Sequence, residues 1–172
     1  KIVPNVYVDM AKKYNLEKNL YPSLWKAVKD DYHEVVIVGD LHRRKTWENP
    51  DLIAVNYYPF EKIIGGDIEI TTYEVKLDFN IYYIWQAANY KRFSHYVYLA
   101  CPLTKEEIRD KEEGRLYEAA VELGIGIYSM TPSGYAGKGY NCQEINSPMR
   151  QVPNPVEIDR LLADYEEITI IS

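Results

Sequence analysis

Ile68-Glu69-Ile70-Thr71-Thr72-Tyr73-Glu74-Val75-Lys76-Leu77 is the stretch on which the fold turns. It follows a turn signal, Gly65-Gly66-Asp67, and its β-branched and aromatic residues alternate with a period of two, which predicts one long strand. Ile70, Thr72, Glu74 and Lys76 share one face of that strand, while Thr71, Tyr73, Val75 and Leu77 share the other. Glu74 and Lys76 therefore point to the same side, with Cα atoms roughly 6.5–7 Å apart. The acid-x-lysine tripeptide alone says little. With 26 acidic residues and 13 lysines among 172 residues, roughly two such triplets are expected by chance. The chain contains one, so its surroundings decide what it means.

Working outward, residues 16–31 read as a helix, with Leu16, Leu20, Leu24, Trp25 and Val28 on one face and Pro22 in or near the first turn. Val35 to Val38 and Leu52 to Val55 read as short strands. After the long strand, residues 80–93 form a helix with Asn80 as N-cap, and Tyr96 to Ala100 a strand. Thr104-Lys105-Glu106-Glu107 is a capping box opening a helix that runs to Leu123, with Gly114 a weak point and Gly124 the stop. Strands follow at 125–130 and 140–145, separated by a Gly-rich loop at 131–139. A short helix at 155–165 and a last apolar strand at 168–171 complete the chain. The order α-β-β-β-α-β-α-β-β-α-β predicts one α/β domain over residues 1–172, a mixed sheet flanked by helices.

Pro50-Asp51 heads the strand before the long one. Asp51 and Glu74, with the carbonyl of Val75, are candidate ligands for a hard divalent cation, Mg²⁺ or Mn²⁺, that keeps several waters. Such an ion supplies a nucleophilic water and neutralises a phosphodiester, and Lys76 beside it would orient that water or stabilise the developing charge. The bland alternative makes Glu74 and Lys76 an exposed pair of little consequence and Asp51 a strand start. Glu17 is also open to two readings, since a first-turn acid is favoured by the helix dipole.

The set Pro50-Asp51 and Glu74-Val75-Lys76 resembles the PD-(D/E)xK nuclease superfamily, which includes restriction endonucleases and Holliday-junction resolvases. The likeness extends to element order, because residues 16–101 read as helix, strand, strand, motif strand, helix, strand. Glu17 in Glu17-Lys18-Asn19-Leu20-Tyr21-Pro22 stands where many members carry an acid in the first helix. Gln86 in Trp85-Gln86-Ala87-Ala88-Asn89-Tyr90 stands where several carry a glutamine. Tyr96 to Pro102 and Leu123-Gly124-Ile125-Gly126-Ile127 resemble the following strand and the helix-to-strand step. The resemblance implies a restriction-endonuclease-like fold and a Mg²⁺-dependent endodeoxyribonuclease serving DNA repair, restriction or mobile-element processing. Asp51 and Glu74 would be its ligands, Lys76 its catalytic lysine, and Glu17 and Gln86 supporting groups. The rival expectation is a non-catalytic DNA-binding or assembly domain that keeps the nuclease fold.

Net charge is −6, which speaks against a non-specific nucleic-acid binder, because phosphate contacts need Lys and Arg. Distribution matters more than the total. Arg43, Arg44 and Lys45, beside His42, form the densest basic cluster just before Asp51, and Lys91-Arg92 is a second. Both are candidate DNA contacts. Tyr57, Tyr58, Tyr82 and Tyr83 are candidates for stacking on bases. His33, His42 and His95 lack metal-ligand spacing, and Gly134 to Gly139 lacks the spacing of a phosphate loop. Cys101 and Cys142 make neither a zinc site nor a disulfide framework, so a reducing cytoplasm is the expectation. No apolar run approaches the roughly 18 residues of a membrane span. The first residue is Lys1 rather than Met, which points to a piece of something longer; a partner subunit that completes the enzyme is a separate expectation. Cutting both strands of a duplex often takes two active sites, which makes a homodimer one candidate assembly.

Overall fold

The computed structural model describes residues 16–39, 49–61, 66–134, 139–165 and 168. Six strands form one sheet in sequence order: β1 Glu34–Ile37, β2 Leu52–Pro59, β3 Gly66–Val75, β4 Tyr96–Cys101, β5 Gly126–Pro132 and β6 Tyr140–Asn146. β1, β2 and β3 are antiparallel neighbours, β3, β4 and β5 run parallel, and β6 returns antiparallel. Parallel neighbours require crossovers. α2 (Ile81–Asn89) joins β3 to β4, and α3 (Lys105–Asp110) with α4 (Arg115–Glu122) joins β4 to β5. α1 (Tyr21–Val28) precedes the sheet and α5 (Pro155–Asp164) follows it.

Side-chain alternation sorts the core into two clusters. Leu20, Tyr21, Leu24 and Val28 of the α1 region pack on Leu52, Ala54, Tyr73, Val75, Tyr98, Ala100 and Met130. On the other face Ile84 and Ala87 of α2, Ile108 of α3, Leu116 and Ala120 of α4 and Leu161 of α5 cover Ile53, Val55, Ile70, Val97, Leu99 and Ile127. The long strand thus divides as its alternation predicts. Tyr73 and Val75 are buried toward α1, and Ile70 toward the opposite layer. Each fully buried aliphatic side chain contributes about 1.5–3 kcal/mol, enough to fix the register by which Glu74 faces α2. A one-residue slip would turn every one of these side chains to the other face.

Local chemistry sets the element ends. Asn80 caps α2 by accepting from the Tyr83 amide, and Thr104 and Glu107 form the reciprocal capping box of α3. Gly124, at φ +70°, ends α4 in the left-handed region. Three expectations are corrected. The helix expected at 16–31 is helical at 16–18, turns at 19–20, continues as α1 with Pro22 in its first turn, and ends in a 3₁₀ turn at Lys29–Asp31. The helix expected at 104–123 breaks where Glu112, Glu113 and Gly114 take φ of 50°, 59° and 85°, a break that Gly114 makes cheap. β2 continues past Val55 to Pro59, because Asn56 to Pro59 pair with Gly66 to Glu69; Gly66 is a strand residue, not part of the turn. The expected strand at 168–171 lies outside the described residues except for Ile168, which is buried.

Candidate active site

Asp51 is positioned by three elements. Its amide donates to the Tyr73 carbonyl of β3, and its carbonyl accepts from Val38 and Gly39 beyond β1. Its carboxylate accepts the Val75 amide at 2.7 Å and the Tyr21 hydroxyl at 2.5 Å. The residue before Pro50 is anchored as well: Tyr165 donates to the Asn49 side chain at 2.9 Å, and the Tyr90 hydroxyl lies 3.0 Å from the Asn49 carbonyl. The approach to β2 is therefore held from the helical layer and from α1 together.

Glu74 stands on β3 between Tyr73 and Val75, the two residues whose backbone holds Asp51, and is 1% exposed. One carboxylate oxygen accepts from Gln86 at 2.6 Å and from the Lys76 ammonium at 2.7 Å. The other accepts from the Tyr90 hydroxyl at 2.5 Å. Lys76 sits just past the end of β3, and its amide donates to Ala100. Its ammonium also lies 3.7 Å from the buried Glu17 carboxylate and 5.6 Å from the Tyr83 ring centre.

Asp51, Glu74, Lys76, Glu17 and Gln86 thus meet in one buried place. Val75 has its side chain in the α1-side core and its amide on Asp51. Lys91 and Arg92 belong to the 3₁₀ turn that follows α2. Lys91 is half-buried, which lowers its pKa, and the exposed Arg92 lays its guanidinium 5.5 Å from the Phe93 ring centre. Arg43, Arg44, Lys45 and His42 lie outside the described residues. His33 and His95 serve the fold, each accepting a backbone amide, from Tyr57 and Ile70 respectively. Tyr57 and Tyr58 sit at the far end of β2 from Asp51, whereas Tyr82 and Tyr83 are on α2 beside the site.

Reasoning from sequence missed two residues, Tyr21 and Tyr90. Each follows a site residue by four positions, Tyr21 after Glu17 and Tyr90 after Gln86. On a helix that spacing puts both on one face, and a buried tyrosine needs a partner for its hydroxyl. That combination was the available signal.

Electrostatics define what the cluster can do. Burial pushes the Asp51 carboxyl up to about 6, against the opposing pull of the Lys76 charge and the Tyr21 and Val75 hydrogen bonds. Burial, and then the Asp51 charge, push Glu74 up to about 8, against Lys76 and Tyr90. Burial works to lower Lys76, but Glu74 and Asp51 outweigh it and raise it above the ordinary lysine value, so the ammonium keeps its proton. Tyr90 is raised far above the usual phenol range by burial and by Glu74, and so it stays a donor. Among the described residues, Asp51, Glu74 and Glu17 set three buried carboxylates around the Lys76 ammonium, in a place where unbalanced charge is costly.

No protein-family model, curated protein or solved structure significantly matches the chain.

Among the described residues no group of three His, Cys, Asp or Glu side chains is arranged to hold a metal ion. A site made by Asp51 and Glu74 would complete its shell with a backbone carbonyl and water, the all-oxygen set that suits Mg²⁺ or Mn²⁺. Both Asp51 oxygens and the Glu74 oxygen bonded to Tyr90 accept one of these hydrogen bonds each and so keep a further lone pair, whereas the Glu74 oxygen shared by Gln86 and Lys76 has both of its lone pairs engaged. A cation between the two carboxylates would offset the Asp51 repulsion that adds to burial in raising Glu74, which is the respect in which these residues suit such an ion.

Proposed function

We propose that this chain is a metal-dependent DNA endonuclease of the PD-(D/E)xK type, with a restriction-endonuclease-like arrangement of its mixed sheet and helices. The observation that carries the reading is the convergence of Asp51, Glu74 and Lys76. Among the described residues, the buried carboxylates of Asp51, Glu74 and Glu17 outnumber the one ammonium of Lys76, and neutral donors (Tyr21 and the Val75 amide for Asp51, Gln86 and Tyr90 for Glu74) fix the first two. A cluster kept only for stability has little reason to retain that imbalance, because well-packed apolar residues serve stability as well or better.

A Mg²⁺ or Mn²⁺ ion held by Asp51 and Glu74, with the Val75 carbonyl as a further donor, would supply Lewis acidity and lower the pKa of a bound water. The chain's own groups do the rest. Lys76 keeps its proton and stabilises negative charge developing on the phosphate. Gln86 and Tyr90 hold the Glu74 carboxylate in one orientation, and Tyr21 with the Val75 amide does the same for Asp51. Glu17, 3.7 Å from the Lys76 ammonium, keeps that ammonium directed toward the acids. Lys91 and Arg92, with Arg43, Arg44 and Lys45, are the proposed contacts to the DNA backbone.

Cleavage of DNA in Mg²⁺ or Mn²⁺ by the wild type, with none by Lys76→Ala or Asp51→Asn, tests the reading. Binding without cleavage, indifferent to the metal, would instead make the chain a DNA-binding domain.

A further inference from the structure

One feature of α2 serves neither the core nor the acid cluster. Tyr82 is 79% exposed and Trp85 57% exposed. They lie three residues apart, and so beside one another on the helix surface. Ile81, at 38%, extends the same patch. The next stripe of the helix is the one that reaches the site: Tyr83 lies under the Lys76 ammonium, and Gln86 and Tyr90 hold Glu74. Tyr82 precedes Gln86 by four positions, so their Cβ atoms are about 5–6 Å apart. A phosphate at Lys76 would bring its flanking nucleotide to the edge of this patch.

We infer that Tyr82 and Trp85 form a stacking wall for unpaired bases of the strand that enters the site. The inference rests on the nuclease reading for the identity of the strand. The patch itself argues for nucleic acid over other occupants. α2 carries no Asp or Glu along Ile81–Asn89 in a chain with 26 acids, and Lys91-Arg92 follows directly. α2 itself sets no acid against a polyanion, Asp78 just before it is paired to Lys111, and cations stand at the helix end. Base faces stack on aromatic rings without regard to sequence, and a base still paired inside a duplex keeps its faces covered. The substrate class is therefore DNA with unpaired nucleotides beside the cut: single strands, flaps or frayed junctions.

The test is anisotropy of fluorescein-labelled single-stranded, blunt-duplex and flapped DNA with the full chain in EDTA, where cleavage is blocked. Trp85→Phe, Trp85→Leu and Tyr82→Ala are the variants, all at exposed positions. Trp85→Leu and Tyr82→Ala should each weaken single-strand and flap binding by about tenfold to a hundredfold, the range one lost stack carries. Blunt-duplex binding should hold, and Trp85→Phe should restore most of the loss. Equal weakening for all three DNA forms, or unchanged affinity in Trp85→Leu, overturns the inference. So does a wild-type dimer, seen by light scattering, that dissociates in Trp85→Leu while DNA affinity is kept; the patch would then face a second copy. Cleavage read separately keeps the two ideas apart. Stacking-dependent binding without hydrolysis sinks the nuclease alone, and hydrolysis indifferent to Trp85 sinks the wall alone.

Discussion

The Val75 amide donates to the Asp51 carboxylate at 2.7 Å, so the residue between Glu74 and Lys76 fixes the third member of their cluster. Val75 turns its side chain into the α1-side core and its backbone toward the neighbouring strand. The spacing of the motif therefore does two things. It puts Glu74 and Lys76 on one face, and it spends the intervening amide on Asp51. The arrangement depends on Asp51 being an acceptor on both oxygens, one for Val75 and one for Tyr21.

Asp51→Asn keeps an acceptor for the Val75 amide and can turn its amide group to the Tyr21 oxygen, so the fold should survive. The substitution removes a buried charge that burial already disfavours. Its melting temperature in EDTA at pH 8 should equal or exceed that of the wild type, while stabilisation by added Mg²⁺ disappears. A marked loss of metal-free stability would show that Asp51 is structural.

The metal-free protein should lose stability as pH rises. Asp51 and Glu74 have folded-state pKa values raised to about 6 and about 8, so the native state binds more protons than the unfolded chain above the ordinary carboxylate range. Stability from this source is complete below that range and is lost as pH climbs through about 6 and about 8. Urea midpoints in EDTA at pH 5 and pH 8.5 should therefore fall with pH, and the fall should shrink in Glu74→Gln. Equal slopes in the two proteins would refute the assignment.

Tyr90→Phe leaves one Glu74 oxygen without its phenol donor. Hydrogen bonds to charged groups contribute about 1.5–3 kcal/mol, and a loss of that size is expected in denaturant unfolding at pH 8.5. Cleavage should drop in kcat more than in KM, because the carboxylate is loosened rather than removed. Tyr21→Phe should act the same way through Asp51. A neutral effect of both would mean that the two hydroxyls do not hold the acids.

Gly39→Ala should damage the site without touching any chemical group. A Cβ there would lie 2.7 Å from the Asp51 carboxylate oxygen and 2.8 Å from the Tyr21 hydroxyl, closer than side chains can approach. The expected result is weaker Mg²⁺ binding by calorimetry, together with reduced stability. Unchanged Mg²⁺ affinity would show that the crowding is relieved elsewhere.

Much of this arrangement was legible in the sequence. Period-two alternation gave the faces of β3, and therefore which residues could meet across the sheet. Asn80, Thr104 with Glu107, and Gly124 announce their caps through chemistry that acts over a few residues. The break at Glu112 to Gly114 was harder to read, because only Gly114 departs from a good helical pattern and one glycine inside a helix is tolerated. The outer half of β2, Asn56 to Pro59, lacks apolar alternation and is held by pairing with Gly66 to Glu69, which no local pattern announces. Tyr21 and Tyr90 are marked only by standing four residues after Glu17 and Gln86, and among 17 tyrosines that spacing does not reveal which hydroxyl partner the tertiary structure supplies.

The central claim is tested most directly by incubating supercoiled plasmid, linear duplex, single-stranded and branched DNA with the full chain in Mg²⁺ and in Mn²⁺. Lys76→Ala and Asp51→Asn, each verified as folded by circular dichroism, run alongside. The account predicts cleavage by the wild type that disappears in both variants and in EDTA. A folded wild type that cuts none of these substrates, or a Lys76→Ala protein that cuts as well as the wild type, would contradict it.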